Sequence, residues 1–203
     1  MLDSTLKLRE TASQTAGPYV HIGMTPNFAE IRGVYATDPG STMVTPDTRG
    51  ERIEITGRVL DGAGAPVADA LLELWQADAD GSYVAPMSPQ SNSAPAFTGW
   101  GRQPVDADGT YRFETIRPGR VTGPDGRSMA PHVSLWIVAR GINIGLQTRV
   151  YFDDEAEANA EDWVLTQVPD ARRPTLIARR EDGGRYRLDI RLQGENETVF
   201  FDF

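Results

Sequence analysis

MAPHVSLWIVARGINIGLQTRVYF, residues 129–152, decides how the rest of the chain is read. Alternation puts His132, Ser134, Trp136, Val138 and Arg140 on one face of a strand, and Val133, Leu135, Ile137 and Ala139 on the other. A turn is expected over Gly141 to Gly145, and a second strand from Leu146 to Phe152. One face thus carries a histidine at one end and an arginine at the other. Eight residues at about 3.3 Å each separate them by roughly 26 Å, too far to serve one small pocket.

The flanking stretches also read as strands. ERIEITGRVL, residues 51–60, sets Ile53, Ile55, Gly57 and Val59 against Arg52, Glu54, Thr56 and Arg58. ADALLELWQAD, residues 68–78, is a more buried strand, and TYRFETI, residues 110–116, alternates again. The closing stretch carries Tyr186, Leu188, Ile190 and Leu192 on one face. Asp61-Gly62, Asp80-Gly81 and Asp108-Gly109 mark turns between them. Residues 84–104, rich in Pro, Ser and Asn, read as a long loop.

DDEAEANAEDWVL, residues 153–165, predicts a helix whose leading acids complement the positive end of its dipole. A second short helix is expected over Pro169 to Ala178. Residues 1–48 show no sustained periodicity, with Gly17-Pro18, Pro26, Gly33, Pro39, Gly40 and Pro46 too closely spaced for a regular element. Tyr19, Phe28, Ile31, Val34 and Tyr35 nevertheless argue for an ordered arm packed on a neighbouring surface. The expected architecture is all-β: an antiparallel β-sandwich over residues 49–203, an irregular arm over residues 1–48, and short helices near the C-terminal third.

Composition narrows the function classes. The 203 residues suit one domain with an extra arm, and 39% hydrophobic content suits a soluble chain. No run approaches the 18 or so apolar residues a spanning helix needs, and the N-terminus lacks a signal-peptide core. A net charge of −9 argues against nucleic acid and anionic membranes as partners. With no cysteine, disulfides and thiolate metal sites are excluded, and a cytoplasmic location is expected.

Few residues stand out as chemistry. The two histidines, His21 and His132, cannot build a three-histidine zinc site. A site on His132 would need oxygen ligands from Tyr, Asp or Glu, which suits a hard ion such as ferric iron. The plainer reading is a satisfied core histidine. Trp75, Trp100 and Trp136 read as core or interface. Gly99-Trp100-Gly101 lacks the setting of a dinucleotide loop, and no P-loop or nucleophile elbow is present. Arg140, at the rim just before Gly141, offers a fork for a carboxylate, but on the residues alone a structural salt bridge or plain surface arginine is the favoured reading.

Several blocks nevertheless match one family in order. LLELWQADADGSY, GWGRQPVDADGTYRFETIRPG, MAPHVSLWIVARG and LQTRVYFDDEAEANA resemble the intradiol ring-cleaving dioxygenases, as do SQTAGPYVHIG near the start and GENETVFFDF at the end. In catalytic chains of that family, two tyrosines and two histidines hold a non-haem ferric iron. Tyr83 occupies the first tyrosine position, whereas TIRPGRVTG puts Val121 at the second. The histidine pair reads His132 and Ser134, and Met129 replaces an arginine three residues earlier. Val121 has no lone pair, and a serine hydroxyl replaces imidazole poorly. The resemblance therefore implies that this chain alone is inactive and binds no iron, with Tyr83, Val121, His132 and Ser134 as vestigial ligand positions.

Two-chain enzymes of the family pair such a chain with a homologous beta chain that carries Fe(III). Their resemblance implies an active site at the interface, with protocatechuate and O2 as substrates. Thr15, Gly17 and Tyr19 in the arm and Arg140 at the strand end are the expected substrate-lining positions. Arg140 would meet the substrate's free carboxylate. A scaffold subunit without part in catalysis is the alternative.

Overall fold

The computed structural model describes residues 12, 14–84, 95–123, 126–143 and 145–202. Among these the strands are β1 (Arg52–Leu60), β2 (Leu71–Gln76), β3 (Trp100–Pro104), β4 (Thr110–Ile116), β5 (Val121–Thr122), β6 (Ser128–Met129), β7 (His132–Val138), β8 (Leu146–Phe152), β9 (Ile177–Arg180), β10 (Arg185–Arg187) and β11 (Ile190–Arg191). Two α-helices, α1 (Pro18–Met24) and α2 (Ala156–Glu161), and three 3-10 turns complete the regular structure. No helix among the described residues is long and apolar enough to cross a membrane.

The central hairpin forms as its alternation demands. Val133, Leu135, Ile137 and Ala139 are at most 1% exposed, while Ser134, Trp136 and Val138 on the other face are partly open. β7 runs antiparallel between β2 and β8, with Leu135 opposite both Leu74 and Thr148. Ile55, Val59, Tyr111, Phe113, Leu72, Leu74, Val150, Phe152 and Tyr186 join the same buried cluster, so the strands curl around one shared core. At about 25 cal/mol per Å² of apolar surface, this cluster is the main source of stability.

The sheet is not purely antiparallel. Nine strands form one mixed sheet in the order β11-β1-β10-β9-β8-β7-β2-β3, with β4 paired to β1. β10 and β11 both lie parallel to β1, and β9 lies parallel to β8. The expected closing strand is broken after Arg187. Leu188 stays in the ladder through its N–H to the Thr56 carbonyl, while the Asp189 carboxylate accepts from the Arg58 N–H.

Three other expectations change. Trp100–Pro104 is a strand paired with β2, although the sequence reads 84–104 as loop; residues 85–94 lie outside the described residues. The second expected helix is a 3-10 turn over Arg173–Leu176 that leads directly into β9. The arm holds a seven-residue helix, α1, opened by Pro18 at a position where a missing N–H costs nothing. α2 forms, but the leading acids are used differently. Asp154 pairs with Arg117 and Arg180, and the Asp153 carboxylate accepts from the Arg180 N–H.

The turns share one device. Asp61, Asp78 and Asp106 each open an Asp-x-x-Gly loop, and one carboxylate oxygen accepts the N–H groups two and four residues on, each at 2.9 Å. The closing glycines sit at φ of about +75 to +81°, where a side chain would be strained. Gly57 is a glycine for another reason. A Cβ there would lie 1.8 Å from the Leu188 carbonyl oxygen. Gly57→Ala is therefore expected to destabilise the chain by about 2 kcal/mol or more. Its thermal midpoint should fall by about 4–8 °C in a melt of the variant beside the parent.

Candidate functional site

The two ends of β7 lead to separate environments. At its start, His132 is buried, and its Nδ1–H donates to the Ala130 carbonyl at 2.7 Å. Its ring lies 5.6 Å from that of Tyr151, its cross-strand neighbour. Burial, and after it the Arg149 guanidinium, lowers His132 to about 4, so the imidazole is neutral near pH 7.

The other three positions that the resemblance implies as former ligand sites lie on β7 itself and on neighbouring elements. Ser134 sits between Trp75 on β2 and Arg149 on β8. Tyr83 stacks on Trp75 at 6.2 Å, and burial raises its phenol above the usual range despite the opposing charge of Arg149. Val121 pairs with Met129 in the β5–β6 hairpin and is buried among Ala77, Met129 and Val164. One imidazole, one phenol and one serine hydroxyl beside an apolar wall at Val121 are a poor set for a hard ferric ion. Among the described residues no three His, Asp or Glu side chains come together for a metal.

Beyond the other end of β7, Arg140 stands in the turn with 81% of its side chain exposed. The arm comes to it there. The Thr15 hydroxyl accepts from the Gly141 N–H at 2.7 Å and donates to the Ala139 carbonyl at 3.3 Å, clipping the arm to both sides of Arg140. Gly17, Pro18, His21, Ile22, Phe28, Asp69 and Arg140 line a cavity of about 420 Å³. Arg140 and Gly17 thus meet in one hollow, and Thr15 holds its edge. Tyr19 does not line it; the ring is 84% exposed on α1.

Sequence reasoning missed Asp69 and did not place His21. Asp69 pairs with Arg140 at 3.4 Å, and its carbonyl accepts from His21 Nε2 at 3.1 Å. The ring of His21 lies 5.8 Å from that of Phe28. The hollow therefore offers one guanidinium fork, one carboxylate and an apolar wall, a set suited to a small aromatic acid. Arg149, at the opposite end of β7, was also unremarked, since an arginine between Thr148 and Val150 reads as an outward strand position.

Comparison with known proteins adds a second line of evidence. A family model described as "Dioxygenase" matches residues 24–194. The alpha chain of protocatechuate 3,4-dioxygenase from Pseudomonas putida is 48% identical over 97% of this chain and 98% of its own length. The beta chain of protocatechuate 3,4-dioxygenase from Burkholderia cepacia is 38% identical over 73% of this chain and 67% of its own. Among solved structures, the dioxygenase domain of a carbohydrate-binding fusion from Streptomyces sp. SirexAA-E aligns with a TM-score of 0.55. It is 26% identical and covers 80% of this chain and 95% of that one.

The burial of His132 has a measurable consequence. Its folded value of about 4 lies below the ordinary 6.5, so as pH falls below 6.5 the unfolded chain gains a proton that the folded chain refuses. This group's contribution is neutral above pH 6.5 and becomes destabilising by roughly 2 kcal/mol at pH 5. In urea unfolding followed by tryptophan fluorescence, His132→Gln should flatten the loss of stability between pH 6.5 and 5.

Proposed function

The chain belongs to the family of intradiol ring-cleaving dioxygenases, and from that premise we propose that it works as the alpha subunit of a protocatechuate 3,4-dioxygenase. In this reading a homologous beta chain carries the ferric iron, and this chain completes the substrate cleft. The complex cleaves protocatechuate between its two hydroxyl-bearing carbons with both atoms of O2, giving 3-carboxy-cis,cis-muconate. The observation that carries the reading is the hollow at Arg140, at the far end of β7 from the vestigial positions.

Three features support it. The guanidinium is exposed beside an apolar wall, ready to receive a carboxylate in a forked pair. Thr15 fixes the backbone on both sides of it, which limits the orientations Arg140 can take. Tyr19, Phe28, Val34 and Tyr35 on the arm are each about half exposed or more, an apolar surface that suits burial against the partner. In this reading Arg140 holds the carboxylate, Gly17 leaves room for the ring, and Tyr19 borders the cleft from the arm. The reaction belongs to aromatic catabolism in the cytoplasm.

The ion pair with Asp69 favours a second reading, in which Arg140 only ties its turn to the turn before β2 and the chain is a scaffold. Kinetics separate the two. In the assembled complex, Arg140→Ala should raise KM for protocatechuate by about tenfold, the cost of losing one charge-assisted hydrogen bond. KM for catechol, which has no carboxylate, should hardly move, and assembly should persist. Unchanged kinetics with intact assembly would establish the scaffold. The chain purified alone should contain far less than one equivalent of iron and show no phenolate-to-iron colour; stoichiometric ferric iron would overturn the subunit reading.

A further inference from the structure

We infer that Arg149 is a built-in cation that bars a metal ion from the vestigial ligand positions, so that restoring the missing ligands does not by itself restore metal binding. The inference rests on the reading that this chain carries no iron of its own, and it adds the cause. Arg149 on β8 lies directly across from Ser134 on β7, whose other neighbour is Trp75 on β2. Trp75 in turn stacks on Tyr83.

The guanidinium reaches the neighbours of the remaining two positions. Arg149 Nη1 is 3.4 Å from the Tyr151 hydroxyl, and Tyr151 is the cross-strand partner of His132. The same nitrogen is 3.6 Å from Met129 Sδ, and Met129 is the cross-strand partner of Val121. One charged group therefore stands against the surroundings of Ser134, His132 and Val121 together.

Chemistry makes this arrangement exclusive. A guanidinium stays protonated at any pH the protein survives and has donors only, so it cannot serve as a ligand. Its charge repels a second cation, and repulsion is stronger in a partly desolvated pocket than in water. It also favours hydroxyls and lone pairs turned toward itself, such as the Tyr151 oxygen. Tyr151 remains anchored from behind, donating to the buried Asp162 carboxylate at 3.3 Å. Val121 and Ser134 can therefore stand where strong ligands would be needed without leaving the pocket short of a positive charge.

The test compares the full-length chain in four forms after incubation with ferrous iron in air, followed by desalting. Iron per chain and the visible phenolate-to-iron band are read for the parent, for Arg149→Gln, for Val121→Tyr with Ser134→His, and for all three changes together. The triple variant should retain at least about tenfold more iron than the double variant, since it differs by removal of one nearby like charge. A double variant that binds as much iron as the triple overturns the inference, and so does a triple as poor as the double.

Should the added tyrosine and histidine prevent folding, cobalt(II) titration of the parent against Arg149→Gln decides instead. Tighter cobalt binding to Arg149→Gln supports the inference, and equal binding overturns it. Iron bound by the parent chain would instead count against the subunit reading, so the two failures are distinct.

Discussion

Leu135 on β7 is held between Leu74 of β2 and Thr148 of β8, and that register orients the surroundings of both His132 and Arg140. Because side chains alternate with a period of two, a slip of one residue would turn Leu135 outward and bring Ser134 and Trp136 into the core. The buried set Val133, Leu135, Ile137 and Ala139 makes such a slip costly, at roughly 1.5–3 kcal/mol for each large apolar side chain exposed. The same register fixes Ser134 opposite Arg149 and delivers Arg140 to the turn beyond the strand. Packing on one face thus sets the chemistry on the other.

The two ends differ in how they treat positive charge. At the start of β7, Arg149 is partly buried among aromatic rings and a thioether, and neutral His132 adds no charge to it. A cation there is stabilised by the Tyr151 hydroxyl and by the Asp162 carboxylate behind it, an arrangement that leaves little to an outside ligand. Past the end of the strand, Arg140 has its fork in solvent with a single exposed carboxylate nearby. One guanidinium is consumed by the fold, and the other is offered.

How far the sequence reveals this depends on how much apolar surface each element contributes. β4 and β7 bury side chains largely in alternation, β1, β2 and β8 bury them in longer runs, and each is legible from its apolar pattern. β3 reads Trp-Gly-Arg-Gln-Pro and buries only Gly101, so its strand character comes from pairing with β2. β9 buries Ala178 alone, and α1 buries no residue, leaving no periodicity to detect. The parallel pairings of β9, β10 and β11 are invisible to local pattern altogether, because alternation does not encode direction. Arg140 stands out by its place at the end of an apolar strand, and the resemblance gives it a substrate role, whereas the arm positions Thr15, Gly17 and Tyr19 are legible through the resemblance alone. Asp69 and Arg149 carry no motif and become visible only through contacts across strands.

The hollow at Arg140 is also unfinished as it stands. An ion pair as exposed as Arg140–Asp69 is worth about 0–1 kcal/mol, because water solvates both groups nearly as well as they solvate each other. A carboxylate arriving at the same fork from solvent would gain no more. For Arg140 to hold a substrate acid firmly, the fork must be removed from water, which strengthens the charge-assisted pair and weakens competition from Asp69's own hydration. Nothing within the described residues covers that side, while Tyr19 presents a large exposed ring on the adjoining helix. The arm is clipped at Thr15 and carries its apolar surface outward, which is the arrangement expected where a second chain supplies the missing wall. In the proposed reading, affinity at Arg140 and assembly through the arm are coupled by desolvation, since each would depend on the same surface being covered.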